Sequence, residues 1–232
     1  MLQVPYWPDK TIKVLVSIFV NPLQFEDKND LKNYPKSLDS DINLAEKAGA
    51  DGVFTPTEDV IYPGTVVEIS AGELGEKYEG KSRPKHFNGV LTVVKRLFEI
   101  TSPKIAIFGE KDFQQLFLIK KMAKDLNLPL DIISAPTIRD KNGLALSSRN
   151  VYLDDNQKRS AQIIYKTLQK SNLDDMHQVL LDEPNFKLDY LEIIDENTFL
   201  KADKNTQNKR AIIAGWINQI RLIDNMPVST KS

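Results

Sequence analysis

Apolar runs built from β-branched and aromatic residues alternate with segments of helical periodicity along the first two thirds of the chain. Val14 to Val20 is nearly continuous in such residues, the pattern of a parallel strand covered on both faces, and Asn21-Pro22 stops it. Leu38 to Ala48 carries a weak helical period, Gly49 offers an exit, and Gly52-Val53-Phe54-Thr55 reads as the next short strand. Val90, Val93, Val94, Leu97 and Phe98 recur at helical spacing, which predicts an amphipathic helix whose apolar stripe packs on a sheet. A strand at Ile105 to Phe108, a helix from Asp112 to about Leu126 with Leu116, Ile119, Met122, Ala123 and Leu126 inward, and a strand at Leu130 to Ser134 follow. The alternation predicts an α/β fold: a Rossmann-like, doubly wound parallel sheet with right-handed crossovers.

The pattern changes near Asn150. Asp154 can cap a helix bearing Ala161, Ile164, Tyr165 and Leu168. After it, strands at Tyr190 to Ile194, Arg210 to Ala214 and Gln219 to Ile223 follow without intervening helices, with a polar turn at Asp203 to Lys209. This predicts two domains, residues 1–149 and a small α+β domain at 150–232, the latter an antiparallel sheet with a helix laid on it. Val228 to Ser232 reads as a frayed tail.

Composition narrows the function classes. Of 232 residues, 41% are hydrophobic, enough for a real core. A net charge of −1 with interspersed signs gives no electrostatic argument for nucleic acid or an anionic membrane surface. The absence of cysteine removes disulfides, thiolate metal sites and thiol nucleophiles together and fits a cytoplasmic address. Met1 to Lys13 lacks an apolar signal-peptide core, and no run approaches the length of a membrane span.

Four segments carry candidate chemistry. Asn21-Pro22-Leu23-Gln24-Phe25 ends the first strand, where ligands meet parallel sheets. Its amides suit hydroxyl or carboxylate recognition, or simply local backbone. Tyr78 to Gly89 is a mixed-charge loop ahead of a helix, by itself a solvated one. Gly109-Glu110-Lys111-Asp112-Phe113-Gln114-Gln115 joins a strand buried on both faces to a helix start that attracts anions. Lys111 and Gln115 exceed what a plain turn needs. Arg139 to Asn150 places Ser147, Ser148 and Arg149 in a flexible loop, which suits a mobile phosphate clamp or a polar interdomain turn.

In order and in register, these blocks resemble the pantoate–β-alanine ligase family of the nucleotidyltransferase superfamily. The resemblance rests on Phe19 to Phe25, Tyr34-Pro35, Phe54-Thr55-Pro56, Tyr62-Pro63, Arg83 to Val94, Gly109 to Gln115 and Gly143 to Asn150, and it runs from about Lys13 to Met226. It implies a two-step ligase reaction: the pantoate carboxylate attacks the α-phosphorus of ATP, giving pantoyl adenylate and pyrophosphate, and the amine of β-alanine then displaces AMP. It also implies a homodimer, a hinged C-terminal lid, and magnesium accompanying ATP on phosphate oxygens and water without protein metal ligands. Residue by residue, Asn21, Gln24 and Gln115 would bind pantoate. Gly109, Lys111, Asp112, Ile138, Ser147, Ser148 and Arg149 would bind ATP. Lys111, Ser147 and Arg149 would be catalytic, Lys111 bridging the two anions and stabilising growing phosphate charge. Leu146-Ser147-Ser148-Arg149 stands where the superfamily more usually has a lysine-bearing loop.

One departure matters. The family carries a His-x-Gly-His helix near its start, and the two histidines of this sequence, His86 and His177, lie elsewhere. Met1 to Lys13 is too short and too proline-interrupted to supply the missing strand and helix. The resemblance therefore implies a weakened or absent adenylation step, since each lost donor to developing charge costs on the order of 10²–10³ in rate. A relative that binds pantoate or nucleotide without turnover, or pairs with a complete subunit, is the alternative. A different nucleotidyltransferase is disfavoured by Gln24, Gln115 and the Arg83 to Val94 block.

Overall fold

A computed structural model describes residues 12–24 and 37–229. Phe25, Tyr34 and Pro35, three residues of the resemblance blocks, and the end of the expected tail lie outside the described residues. The chain forms two compact units, one of residues 1–76 and 83–103, the other of residues 77–82 and 104–232.

The first unit opens with β1 (Leu15–Ser17), which pairs in parallel with β2 (Gly52–Phe54). Helix α1 (Leu38–Lys47) lies between them in sequence and α2 (Glu58–Ile61) follows. β1 is shorter than the expected Val14 to Val20, and its Leu15 is 52% exposed. The expected burial on both faces is absent because β2 is the only strand laddered to it among the described residues. Helix α4 (His86–Thr101), numbered after a short α3 in the second unit, is the helix that the valine spacing predicts. Its first half is buried nearly all round, from His86 to Val94, and it packs on α2 and on a 3₁₀ turn at Pro22–Gln24.

In the second unit, α3 (Glu79–Ser82) is followed by β3 (Ile105–Gly109), α5 (Phe113–Asp125) and β4 (Asp131–Ala135). β3 and β4 pair in parallel over five residues. β3 also has a single ladder partner among the described residues, so Ile107 is 37% exposed where burial on both faces was expected. Leu126, expected inward, is exposed because α5 ends at Asp125 and Leu126 caps it.

The expected Asp154 cap is present: Asp154 accepts from the Gln157 N–H, and the Gln157 side chain accepts from the Asp154 N–H, closing a capping box on α6 (Asp155–Leu168). A further helix, α7 (Leu173–Leu180), was not expected. Only two turns long, it buries Met176 and is capped by Asn172. Strands β5 (Phe186–Asp195), β6 (Lys209–Ile217) and β7 (Ile220–Pro227) form the antiparallel sheet. They are longer than the apolar cores that announce them, and the Val228 N–H still donates to the Lys209 carbonyl at 2.8 Å, so the tail begins later than expected. Ala161, Ile164, Leu168, Met176, Ala211, Ile213 and Ile217 build the core between helices and sheet.

Candidate active site

In the first unit the candidate residues sit on the 3₁₀ turn after β1. Asn21 is 1% exposed, and its Nδ2 donates to the Gly89 carbonyl at 3.0 Å. Its Oδ1 accepts from the Tyr62 hydroxyl at 2.8 Å and the Leu23 N–H at 3.2 Å. Burial and the negative charges of Glu58 and Glu68 push Tyr62 up to about 12, so its hydroxyl remains a donor. Gly89 is required: a Cβ there would lie 2.3 Å from the Leu23 carbonyl oxygen. The His86 ring closes the other side, with Nδ1 3.0 Å from the Gln24 carbonyl oxygen and Nε2 3.2 Å from Arg83 Nη1. A guanidinium can only donate, so Nε2 must accept and Nδ1 carries the proton. These contacts hold the Gln24 backbone while its side chain takes no hydrogen bond from another described residue. The Tyr78 to Gly89 segment is therefore no solvated loop. Its Glu79, Gly80, His86 and Phe87 are buried.

In the second unit the strand-to-helix junction is a 3₁₀ turn, Glu110–Asp112, rather than a direct entry into the helix. Gly109 precedes it in extended backbone, and a Cβ there would meet nothing within 4 Å. The fold thus does not require a glycine at 109, and the bare backbone leaves room for a ligand's close approach. Gln114 and Gln115 divide their duties. Gln114 is buried, accepting from the Glu79 N–H at 3.1 Å and donating to the Lys77 carbonyl at 2.9 Å. The half-buried Gln115 and Lys111 side chains take no hydrogen bond or ion pair from the described residues. Asp112 is exposed and makes no side-chain cap, leaving its carboxylate to other partners.

The Arg139 to Asn150 segment is more ordered than a flexible loop. Arg139 and Ala145 form an antiparallel bridge, Leu146 N–H donates to the Ile138 carbonyl at 2.9 Å, and Asp140 accepts from the Asn142 and Leu144 N–H groups. Gly143 is at φ +89°, and a Cβ there would strike the Tyr165 ring. Arg139 clasps the buried Asp224 carboxylate with both terminal nitrogens, at 2.5 and 2.9 Å. Ser147 caps a 3₁₀ helix, Ser148–Tyr152, by accepting from the Arg149 N–H at 3.3 Å. Ser147, Ser148 and Arg149 thus stand at the start of a short helix on a pinned hairpin, with Ser148 exposed.

Two buried polar clusters escaped the sequence reading. Arg221 binds both Glu79 oxygens, at 2.6 and 2.8 Å, and Asp189 at 2.7 Å, while the Tyr190 hydroxyl donates to Glu79 at 2.9 Å. Burial and the Glu79 charge drive Tyr190 well above the ordinary phenol value. The second cluster is Arg210, Asn225 and Glu196 with the Glu110 turn. Its signal was present: Asp224-Asn225 is a buried polar pair following Leu222 and Ile223 in β7.

The pantoate-beta-alanine ligase family model matches residues 8–227. The chain belongs to the pantoate–β-alanine ligase family. It is 42% identical to a pantothenate synthetase of Pelodictyon phaeoclathratiforme over 91% of this chain and 81% of the relative. It is likewise 42% identical to a pantoate–β-alanine ligase of Schizosaccharomyces pombe over 92% and 81%. The crystal structure of pantothenate synthetase from Thermus thermophilus superposes with a TM-score of 0.87 at 39% identity, covering 94% of this chain and 84% of that one. A Francisella tularensis pantoate–β-alanine ligase, complexed with β,γ-ATP and β-alanine, gives 0.80 at 39% identity over 95% and 81%. Ligase-family kinship fits the α/β architecture and its antiparallel C-terminal sheet.

Proposed function

We propose that this protein condenses pantoate with β-alanine, driven by ATP, through pantoyl adenylate. The observation that carries the reading is the family match across residues 8–227. The placement of the site is supported by a contrast in hydrogen bonding: Asn21 and Gln114 are engaged by the fold, whereas the Gln24, Lys111 and Gln115 side chains take no hydrogen bond from the described residues and suit a ligand.

In this reading Gln24 and Gln115 bind the pantoate hydroxyls and carboxylate, and Asn21 serves them from beneath by fixing the turn. Lys111 sits against both the pantoate carboxylate and the phosphates, offsetting their repulsion as the carboxylate oxygen bonds to the α-phosphorus and pyrophosphate departs. The β-alanine nitrogen then bonds to the acyl carbon, loses a proton, and AMP leaves. Gly109, Asp112 and Ile138 line the nucleoside side, and Ser147, Ser148 and Arg149 face the outer phosphates, Ser147 and Arg149 assisting the departure of pyrophosphate. Among the described residues no group of three or more His, Asp or Glu could hold a metal ion. In this reading magnesium enters with ATP, held by phosphate oxygens and water. A cytoplasmic homodimer completes the reading, and no described helix is long and apolar enough to cross a membrane.

His86 is engaged by the Gln24 carbonyl and Arg83, which makes it a brace for the Gln24 turn in this reading. AMP release measured with pantoate and β-alanine together, and with each omitted, tests the function. Release requiring both acids supports it. Binding of pantoate and ATP without release favours the non-catalytic alternative, and neither binding nor release rejects both.

A further inference from the structure

We infer that Asn225 is a positioning residue for Lys111, acting from the C-terminal sheet on the turn that carries the ammonium. This rests on the assignment of Lys111 to the ATP phosphates. Asn225 lies on β7 and is 3% exposed. Its Nδ2 donates to two successive carbonyl oxygens, Glu110 at 2.8 Å and Lys111 at 2.9 Å. A side-chain amide has two N–H groups, so both donors are used on this one turn. The opposite end of the amide is fixed too, because Oδ1 accepts from Arg210 Nη1 at 2.6 Å.

Arg210 is itself immobilised. It is 5% exposed, stacks over the Phe113 ring at 4.0 Å, donates to Glu196 at 2.6 Å and lies 3.5 Å from the Glu110 carboxylate. The arrangement aims a buried, doubly anchored amide at the two carbonyls flanking the Lys111 Cα. Asn225 braces both carbonyls from outside the 3₁₀ turn, and its loss would strip a buried donor from each. The same dipeptide serves the second phosphate segment: Asp224 clasps Arg139, and the Asn225 carbonyl accepts from Arg139 Nη2 at 3.2 Å. Two adjacent residues of β7 thereby set the Lys111 turn and the hairpin leading to Ser147 and Arg149 in one register. That link explains two polar residues in the middle of a buried strand, where an apolar pair would pack at lower desolvation cost.

The test is a double-mutant cycle on the full chain, read by calorimetric titration of Mg-ATP. Asn225→Asp keeps the shape and removes both donors; Asn225→Ser supplies a second variant should the first not fold. With Lys111 present, either change is expected to weaken ATP binding about tenfold, the scale of losing aimed charge-binding geometry. In a Lys111→Ala background it is expected to weaken binding less than about twofold further, because the effect runs through the ammonium. Equal weakening in both backgrounds, or none with Lys111 present, overturns the inference. If Lys111→Ala alone leaves ATP binding unchanged, the assignment of Lys111 itself fails, which is a separate result.

Discussion

The Nδ1 of His86 lies 3.0 Å from the backbone carbonyl oxygen of Gln24. His86 thus braces a neighbouring turn, holding the backbone from which the Gln24 side chain projects. His86→Ala leaves that carbonyl without its partner and is expected to raise KM for pantoate about tenfold. His86→Asn, which places an amide donor near the same point, is expected to recover part of the loss. Steady-state titration of pantoate with the two variants measures this.

Gln114 and Gln115 are adjacent but separable. Gln114→Ala strands the Glu79 N–H and the Lys77 carbonyl, at a cost of about 1–3 kcal/mol. The expected result is a thermal midpoint several degrees lower. Gln115→Ala is expected to leave the midpoint unchanged and to weaken pantoate binding. Thermal unfolding and calorimetry on both variants check the division, and a matched loss of stability in both would contradict it.

Gly109→Ala tests the open approach to the β3 terminus. The backbone there suits alanine, and its Cβ meets nothing within 4 Å. Stability is expected to rise by about 0.4–1 kcal/mol through reduced unfolded-chain entropy, while KM for ATP rises. Unchanged ATP kinetics would place the nucleotide elsewhere.

Tyr62 gives a pH dependence. Its hydroxyl is pushed from 10.0 up to about 12 in the folded protein. Between those values the unfolded chain loses a proton that the folded chain keeps, so stability falls as pH rises from 10 to about 12. Tyr78 and Tyr190, also raised, act in the same direction. Urea unfolding across this range is expected to show a shallower decline in Tyr62→Phe than in the unaltered protein.

The strand and helix alternation was legible because apolar periodicity is a local property: β2, α4, β3, α5, β4 and α6 all fall within a few residues of their expected positions. The Asp154 cap could be read for the same reason. Strand burial could not, because it depends on lateral neighbours, and β1 and β3 each have one ladder partner among the described residues. Helix α7 places Leu173, Met176, Val179 and Leu180 at helical spacing, but over only two turns, too short a window to stand out from its polar surroundings. Of the candidate site, Lys111 and Gln115 stood out as a local excess of polar groups, whereas the segment holding Gln24 was equally consistent with a local backbone role and gained a ligand role only from the family resemblance. Sequence reading could not tell that Asn21 is held by Gly89, 68 residues away, or that Asn225 reaches Lys111 across 114. Such partners are set by tertiary packing and leave only a buried polar residue in an apolar pattern as their trace.

The central claim is that the Lys111 ammonium serves pantoate and ATP together. Calorimetric titration of each ligand, with the unaltered protein and with Lys111→Ala, addresses it whether or not turnover is fast. Loss of a charge-assisted contact is expected to weaken both ligands by roughly ten- to a hundredfold with an unchanged thermal midpoint. Unaltered affinity for both would contradict the placement of the site.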